Sequence, residues 1–173
     1  ALPTELQPHV GALNLAGPTC GATSLPNAVT RLPYIGAMTI ETPNTLGARA
    51  ESAVASALVR AGHDVFIPAF CAHSRVDLIY LDPAGTTKRV QCKNARVLKG
   101  GIGFRTASNT GNITRPYHGE IDEFGAFSVE TGLVYLVPIE VVGDTFCCLR
   151  TTPTRNGQLT GIRWADDYVL GEP

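Results

Sequence analysis

Four residues stand out as candidates for shared chemistry: Glu51, Asp77, Gln91 and Lys93. Asp77 interrupts the apolar run from Val76 to Leu81. A carboxylate inside a strand is costly unless it faces water, a partner or a metal. Gln91 and Lys93 stand two apart, so on an extended strand their side chains share a face. Hydrolysing a phosphodiester needs an attacking water, relief of charge on the phosphoryl oxygens and a stabilised leaving oxygen. A hard cation held by oxygen ligands supplies the last two and acidifies bound water. Taken singly, each residue also has a plain reading. Glu51 can be a solvated helix residue, and Asp77 an ion-pair partner of Arg75. Gln91 and Lys93 can be the polar face of a strand whose core face is Val90 and Cys92.

The elements that must position these residues are visible in the periodicity. From Asn44 to Ala61, the residues Leu46, Ala50, Ala53, Val54, Ala57 and Leu58 recur at helical spacing. Asn44 or Thr45 is the expected cap and Gly62 the stop, with Glu51 at the edge of the apolar face. Asp64 to Phe70 is rich in β-formers. Arg75 to Leu81 reads as a strand, and Lys88 to Asn94 as a second one after a turn over Asp82 to Thr87. A hairpin centred on that turn sets Asp77 opposite Cys92, with Gln91 and Lys93 as flanking neighbours. A shift of one residue puts Asp77, Gln91 and Lys93 on one face. Residues 99–113 read as a Gly-rich excursion with a short β-like stretch, Ile102 to Thr106. Ile121 to Phe127, Leu133 to Val142 and Phe146 to Arg150 read as further strands, and Ile162 to Leu170 as a short final helix. This order predicts an α/β domain with a mixed central β-sheet flanked by helices.

The chain has 173 residues, 44% apolar and 17% charged, which suits one ordinary core and excludes gross disorder. Residues 1–37 differ. They hold Pro3, Pro8, Pro18, Pro26 and Pro33, carry only Glu5 and Arg31 as charges, and keep no period. We expect a loosely ordered, irregular N-terminal extension there and a folded domain over 38–173, opening at Met38. No apolar run is long enough for a membrane helix, and the first residues lack a basic leader region, so no membrane partner is expected. Five cysteines without a C-x-x-C pair fit a reducing, cytoplasmic setting better than a disulfide framework. Cys71-Ala-His73 and Cys147-Cys148 lack the second pair a zinc site needs. Gly100 to Gly103 lacks the strand-to-helix setting of a phosphate loop.

The net charge of −1 hides an asymmetry. Residues 83–119 contain no Asp or Glu but hold Lys88, Arg89, Lys93, Arg96, Lys99, Arg105 and Arg115. Such a segment either faces phosphates or is balanced by acids that the fold brings close.

Together these parts resemble the PD-(D/E)XK nuclease superfamily: a helix with Glu51, an extended run with Val76-Asp77, a hairpin, then Gln91-Cys92-Lys93. Val76 stands where the pattern usually has Pro, and Gln91 where it usually has an acid. The Q-x-K form, with Tyr117 to Phe124 and Val134 to Glu140, resembles the branch of the group I intron-encoded homing endonuclease of this fold. Archaeal Holliday-junction resolvases are more distantly similar. The resemblance runs from about Thr45 to Val142. It implies a restriction-endonuclease-like core and a Mg²⁺-dependent endonuclease cutting double-stranded or branched DNA, with Mn²⁺ able to substitute. It implies that Asp77, the Gln91 amide oxygen and the Cys92 backbone carbonyl bind the metal, with Glu51 acting through water. Lys93 would orient the attacking water or help deprotonate it. Replacing an acid by Gln91 implies weaker metal binding.

The same resemblance points to a nucleic-acid surface just past the site. Asn94, Arg96, Lys99, Arg105 and Arg115 would contact phosphates or base edges, and Tyr117 and His118 a sugar, phosphate or base. Cutting both strands implies two sites, hence a homodimer or dimer of dimers. Gln91 motivates the alternative of a catalytically silent DNA-binding protein that keeps the nuclease core. A structural protein without a nucleic-acid role would lack salt-sensitive DNA binding.

Overall fold

The computed structural model describes residues 41–71, 74–158 and 160–171. The expected extension over 1–37, the boundary at Met38, and His73 lie outside the described residues.

Helix α1 spans Pro43–Arg60. Thr42 caps it, its hydroxyl accepting from the Thr45 N–H at 3.2 Å. The cap thus precedes the expected Asn44 or Thr45. Pro43 occupies the first turn, where a missing N–H costs nothing. Gly62, at φ +87°, ends the helix as expected. Ala50, Val54, Ala57 and Leu58 form its buried face.

One sheet of seven strands follows. Its members are β1 (Val65–Phe66), β2 (Leu78–Leu81), β3 (Thr87–Leu98), β4 (Gly101–Arg105), β7 (Glu123–Ser128), β8 (Val134–Pro138) and β9 (Phe146–Arg150). Strands β5 (Ala107–Thr110) and β6 (Ile113–Pro116) form a separate antiparallel ribbon. The 12-residue β3 is the spine. Along one edge it pairs antiparallel first with β2 and later with β4, and along the other it runs parallel to β7. The sheet is therefore mixed. Strand β4 continues to β9, and β7 to β8.

Three sequence expectations change. The stretch 99–113 is built of strands: a tight turn at Lys99–Gly100 (φ +79° at Gly100) joins β3 to β4, and the ribbon follows. The expected final helix is a 3-10 turn, Ala165–Tyr168. It is held by the free edges of neighbouring strands: the Arg150 N–H donates to the Arg163 carbonyl at 2.7 Å, and the Leu170 N–H to that of Val134 at 2.8 Å. Among the described residues α1 alone is an α-helix. Finally, Leu78 pairs with Val90, one residue away from the expected register. The Asp82 carboxylate accepts from the N–H groups of Ala84 and Thr86, closing an odd-numbered turn that shifts the hairpin centre.

Two cores lie on the two faces of the sheet. On one, Val90 and Cys92 pack with Leu78 and Tyr80 against α1. On the other, Ala95, Phe104, Tyr117, Phe124, Tyr135 and Val137 pack together. Gly125 of β7, paired with Cys92, sets how closely α1 approaches. A Cβ there would lie 2.6 Å from a methyl of Val54, which is fully buried and has no room to move. We expect Gly125→Ala to cost about 1–3 kcal/mol of stability, read by urea unfolding. An unchanged midpoint would contradict this seating of α1.

Candidate active site

Strand β2 leaves β3 at Asp77. The Asp77 N–H still donates to the Val90 carbonyl at 2.9 Å, but the preceding chain turns away. There the Ser74 hydroxyl accepts from the Val76 N–H at 3.0 Å. Strand β4 does not pair with β3 until Arg96. Between these points one edge of β3 has no strand beside it among the described residues. Even-numbered residues of β3 aim their backbone groups at this edge, as Val90 does. The Cys92 N–H would be orphaned there. The Asp77 carboxylate takes the place of a ladder carbonyl, accepting from that N–H at 2.7 Å. The Gln91 amide nitrogen donates to the same carboxylate oxygen and lies 3.4 Å from the Cys92 carbonyl. The Cys92 thiol lies in the core against α1, where burial raises its pKa far above the ordinary thiol range.

The observed register places Asp77 next to Gln91, with Lys93 one step along the same face. From the other side of the gap, α1 brings Glu51. All four line one cleft of about 710 Å³, together with Asn94, Arg96 and Arg105. Lys93 Nζ donates to the Tyr117 hydroxyl at 3.0 Å. Burial pushes the Asp77 carboxyl up to about 6; the Cys92 N–H opposes this, the Glu51 charge adds to it, and Lys93 offsets part of it.

The oxygens that could hold a cation are those of Asp77, Glu51, the Cys92 carbonyl and Gln91, whose amide presents its oxygen after a half-turn. Among the described residues no three His, Cys, Asp or Glu side chains cluster, so an all-acid or zinc-type cage is absent. A set of hard oxygens around a carboxylate whose pKa burial has raised suits a hard divalent cation rather than a thiophilic one.

The proposed nucleic-acid residues divide. Arg96, Lys99 and Arg105 are exposed, and Arg96 and Arg105 open onto the cleft. Asn94 also lines it, with its amide oxygen buried and unpartnered. Arg115 is paired to Glu120 at 2.5 Å, and His118 lies 2.9 Å from Asp144. Arg89 is paired to Asp122. Acids just beyond the acid-free segment thus balance two of its cations. Tyr117 is a correction: it is 3% exposed and wedged edge-on against Phe124, so it cannot touch a nucleic acid. Arg75 is a second correction. It turns from Asp77 to Glu120, and donates to the Ser108 hydroxyl and the Pro116 carbonyl, both at 2.6 Å. Only contacts distant in sequence set these two roles, so no local pattern announces them.

Asp77 generates a stability prediction for the metal-free protein. Its ordinary value is 3.8, and its folded value about 6. Below both values the carboxyl is protonated in either state and costs nothing. As the pH rises between them the unfolded state ionises first, so stability falls, and the deficit persists above about 6. Discounted for partial solvent screening, we expect Asp77→Asn in EDTA to gain about 1–2 kcal/mol at neutral pH. The gain should vanish below the ordinary value. Urea unfolding across that range measures it, and a pH-independent difference would contradict the assignment.

A model of the PD-(D/E)XK endonuclease family matches residues 42–171. Among solved structures, the chain is similar to a bacterial homing endonuclease, I-Ssp6803I. The TM-score is 0.59 and the identity 22%, over 75% of this chain and 89% of that one. At that identity the likeness concerns the fold, which is restriction-endonuclease-like. No match was found among curated proteins. The family match extends from the cap of α1 past the final 3-10 turn, and so takes in every element around the cleft. The chain belongs to the PD-(D/E)XK endonuclease family.

Proposed function

We propose that this nuclease hydrolyses phosphodiester bonds of double-stranded or branched DNA with Mg²⁺, for which Mn²⁺ can substitute. The observation that carries this reading is the convergence of Glu51, Asp77, Gln91 and Lys93 on the unpaired edge of β3. Asp77, the Gln91 amide oxygen and the Cys92 carbonyl would hold the cation, with Glu51 acting through water. A cation bound there would relieve charge on the phosphoryl oxygens and acidify a water. Lys93, as an ammonium, would orient that water by hydrogen bonding and offset the charge of the scissile phosphate. Arg96, Arg105 and Lys99 hold phosphates beside it, and the Asn94 amide adds a neutral contact. Two copies of the chain, as a dimer or dimer of dimers, would cut both strands. The folded unit in this reading is 38–173.

Supercoiled plasmid and a synthetic four-way junction, each with Mg²⁺ or EDTA, test the reading. We expect metal-dependent cutting, reduced by about 10² or more in both Asp77→Ala and Lys93→Ala. The preferred substrate separates duplex from branched DNA. One observation favours a second reading, a silent DNA-binding protein: the Gln91 amide nitrogen already satisfies Asp77. Binding without cutting on both substrates, with cutting gained in Gln91→Glu, would support it.

The cleft also makes an electrostatic prediction. Removing Arg96 and Arg105 together should flatten the slope of log binding constant against log salt by about 2, roughly one per phosphate contact. Arg115→Ala, whose guanidinium is tied to Glu120 and does not line the cleft, should change the slope less. Titration of labelled duplex at several salt concentrations decides this, and equal effects would contradict the assignment.

A further inference from the structure

We propose that Tyr117 is a positioning residue that holds Lys93 in its working orientation; this rests on the nuclease reading above. Lys93 ends in a flexible stem with several rotatable bonds, so an unheld ammonium would sample many positions. Its Nζ instead donates to the Tyr117 hydroxyl at 3.0 Å and lies 4.8 Å from the ring centroid. Tyr117 is itself locked. The guanidinium of Arg75 covers its ring at 3.8 Å, and Phe124 meets it edge-on at 5.6 Å. Its carbonyl accepts from the Glu120 N–H at 3.0 Å. Arg75 in turn is fixed by Glu120, the Ser108 hydroxyl and the Pro116 carbonyl.

Packing alone does not ask for a hydroxyl here, since Phe would fill the same space against Phe124. A buried tyrosine hydroxyl needs a polar partner, and the partner it has is the ammonium in the cleft. The chain Arg75, Tyr117, Lys93 therefore ties the base of the β5–β6 ribbon to the active-site edge of β3. A rigid acceptor on one side of Lys93 leaves its remaining N–H groups aimed at the cleft. No proton needs to pass to Tyr117 for this.

Tyr117→Phe keeps the ring and its Arg75 contact and removes only the hydroxyl. Lysine acylation of the metal-free protein, followed by peptide mass spectrometry, reads the effect directly. The chain has three lysines, so Lys88 and Lys99 serve as internal references. We expect Lys93 alone to react about fivefold faster in the variant, the size of one lost hydrogen bond. With Mg²⁺, single-turnover cleavage should slow by about 10- to 100-fold, with DNA affinity unchanged and the melting temperature lowered by no more than a few degrees. Unchanged Lys93 reactivity would overturn the proposal, as would equal acceleration at all three lysines. A rate loss matched by weaker DNA binding would also overturn it. A wild type that labels as expected but cuts no DNA would count against the nuclease reading alone.

Discussion

The bond between the Asp77 carboxylate and the Cys92 N–H is the contact around which the cleft is built. A strand that departs from its neighbour leaves backbone groups unpaired, and buried unpaired groups are costly. Here the departing strand leaves its last side chain behind as an acceptor. The sheet can then open a gap without an orphaned donor, and the gap exposes the next carbonyl and the Gln91–Lys93 face. Taking that place half-buries Asp77, and the burial raises its pKa even though the Cys92 N–H itself pulls it down. Its burial is imposed by the ladder it completes.

A gap on one edge of β3 is tolerable because the other edge is closed. Strand β7 runs parallel to β3 from Val90 to Ala95, directly behind the gap. Parallel pairing there needs a long connection, which the chain fills with β4, the β5–β6 ribbon and the turn through Glu120. That connection brings Arg105 to the cleft, and Tyr117 with Arg75's partners behind Lys93. Helix α1 covers the opposite face, seated by Gly125, and this seating delivers Glu51 to the far side of Asp77. The cleft thus draws on α1, on the end of β2, on β3 and on β4.

Much of this was legible in the sequence, for local reasons. The period of Ala50, Val54 and Ala57 specifies α1, and the order Glu51, Asp77, Gln91, Lys93 specifies the elements that meet. What local pattern could not supply was set by distant contacts. The register slipped by one because the Asp82 carboxylate organises an odd-numbered turn. The expected last helix became a 3-10 turn because β8 and β9 offer it unpaired edges. The Gly, Ser and Thr of residues 99–113 resemble loop composition, yet they serve a tight turn and a ribbon. Tyr117 looked like a surface aromatic among basic residues, but Arg75, far away in sequence, covers it.

The departure at residue 91 fits the electrostatics of the same contact. Asp77 already feels the Glu51 charge, and Lys93 offsets part of it. A third carboxylate at 91 would sit directly against Asp77, and like charges at hydrogen-bond range cannot both stay ionised without a cation. Gln91 removes that conflict by donating to Asp77 instead. It also keeps an oxygen on the same side chain, available after a half-turn of the amide. The metal-free fold is thereby relieved of one charge it could not balance. In the proposed metal-bound state the corresponding cost would fall on cation affinity, because an amide oxygen attracts a divalent ion less strongly than a carboxylate does. In the proposed nuclease, Gln91 would ease the charge conflict of the metal-free site at the expense of cation affinity.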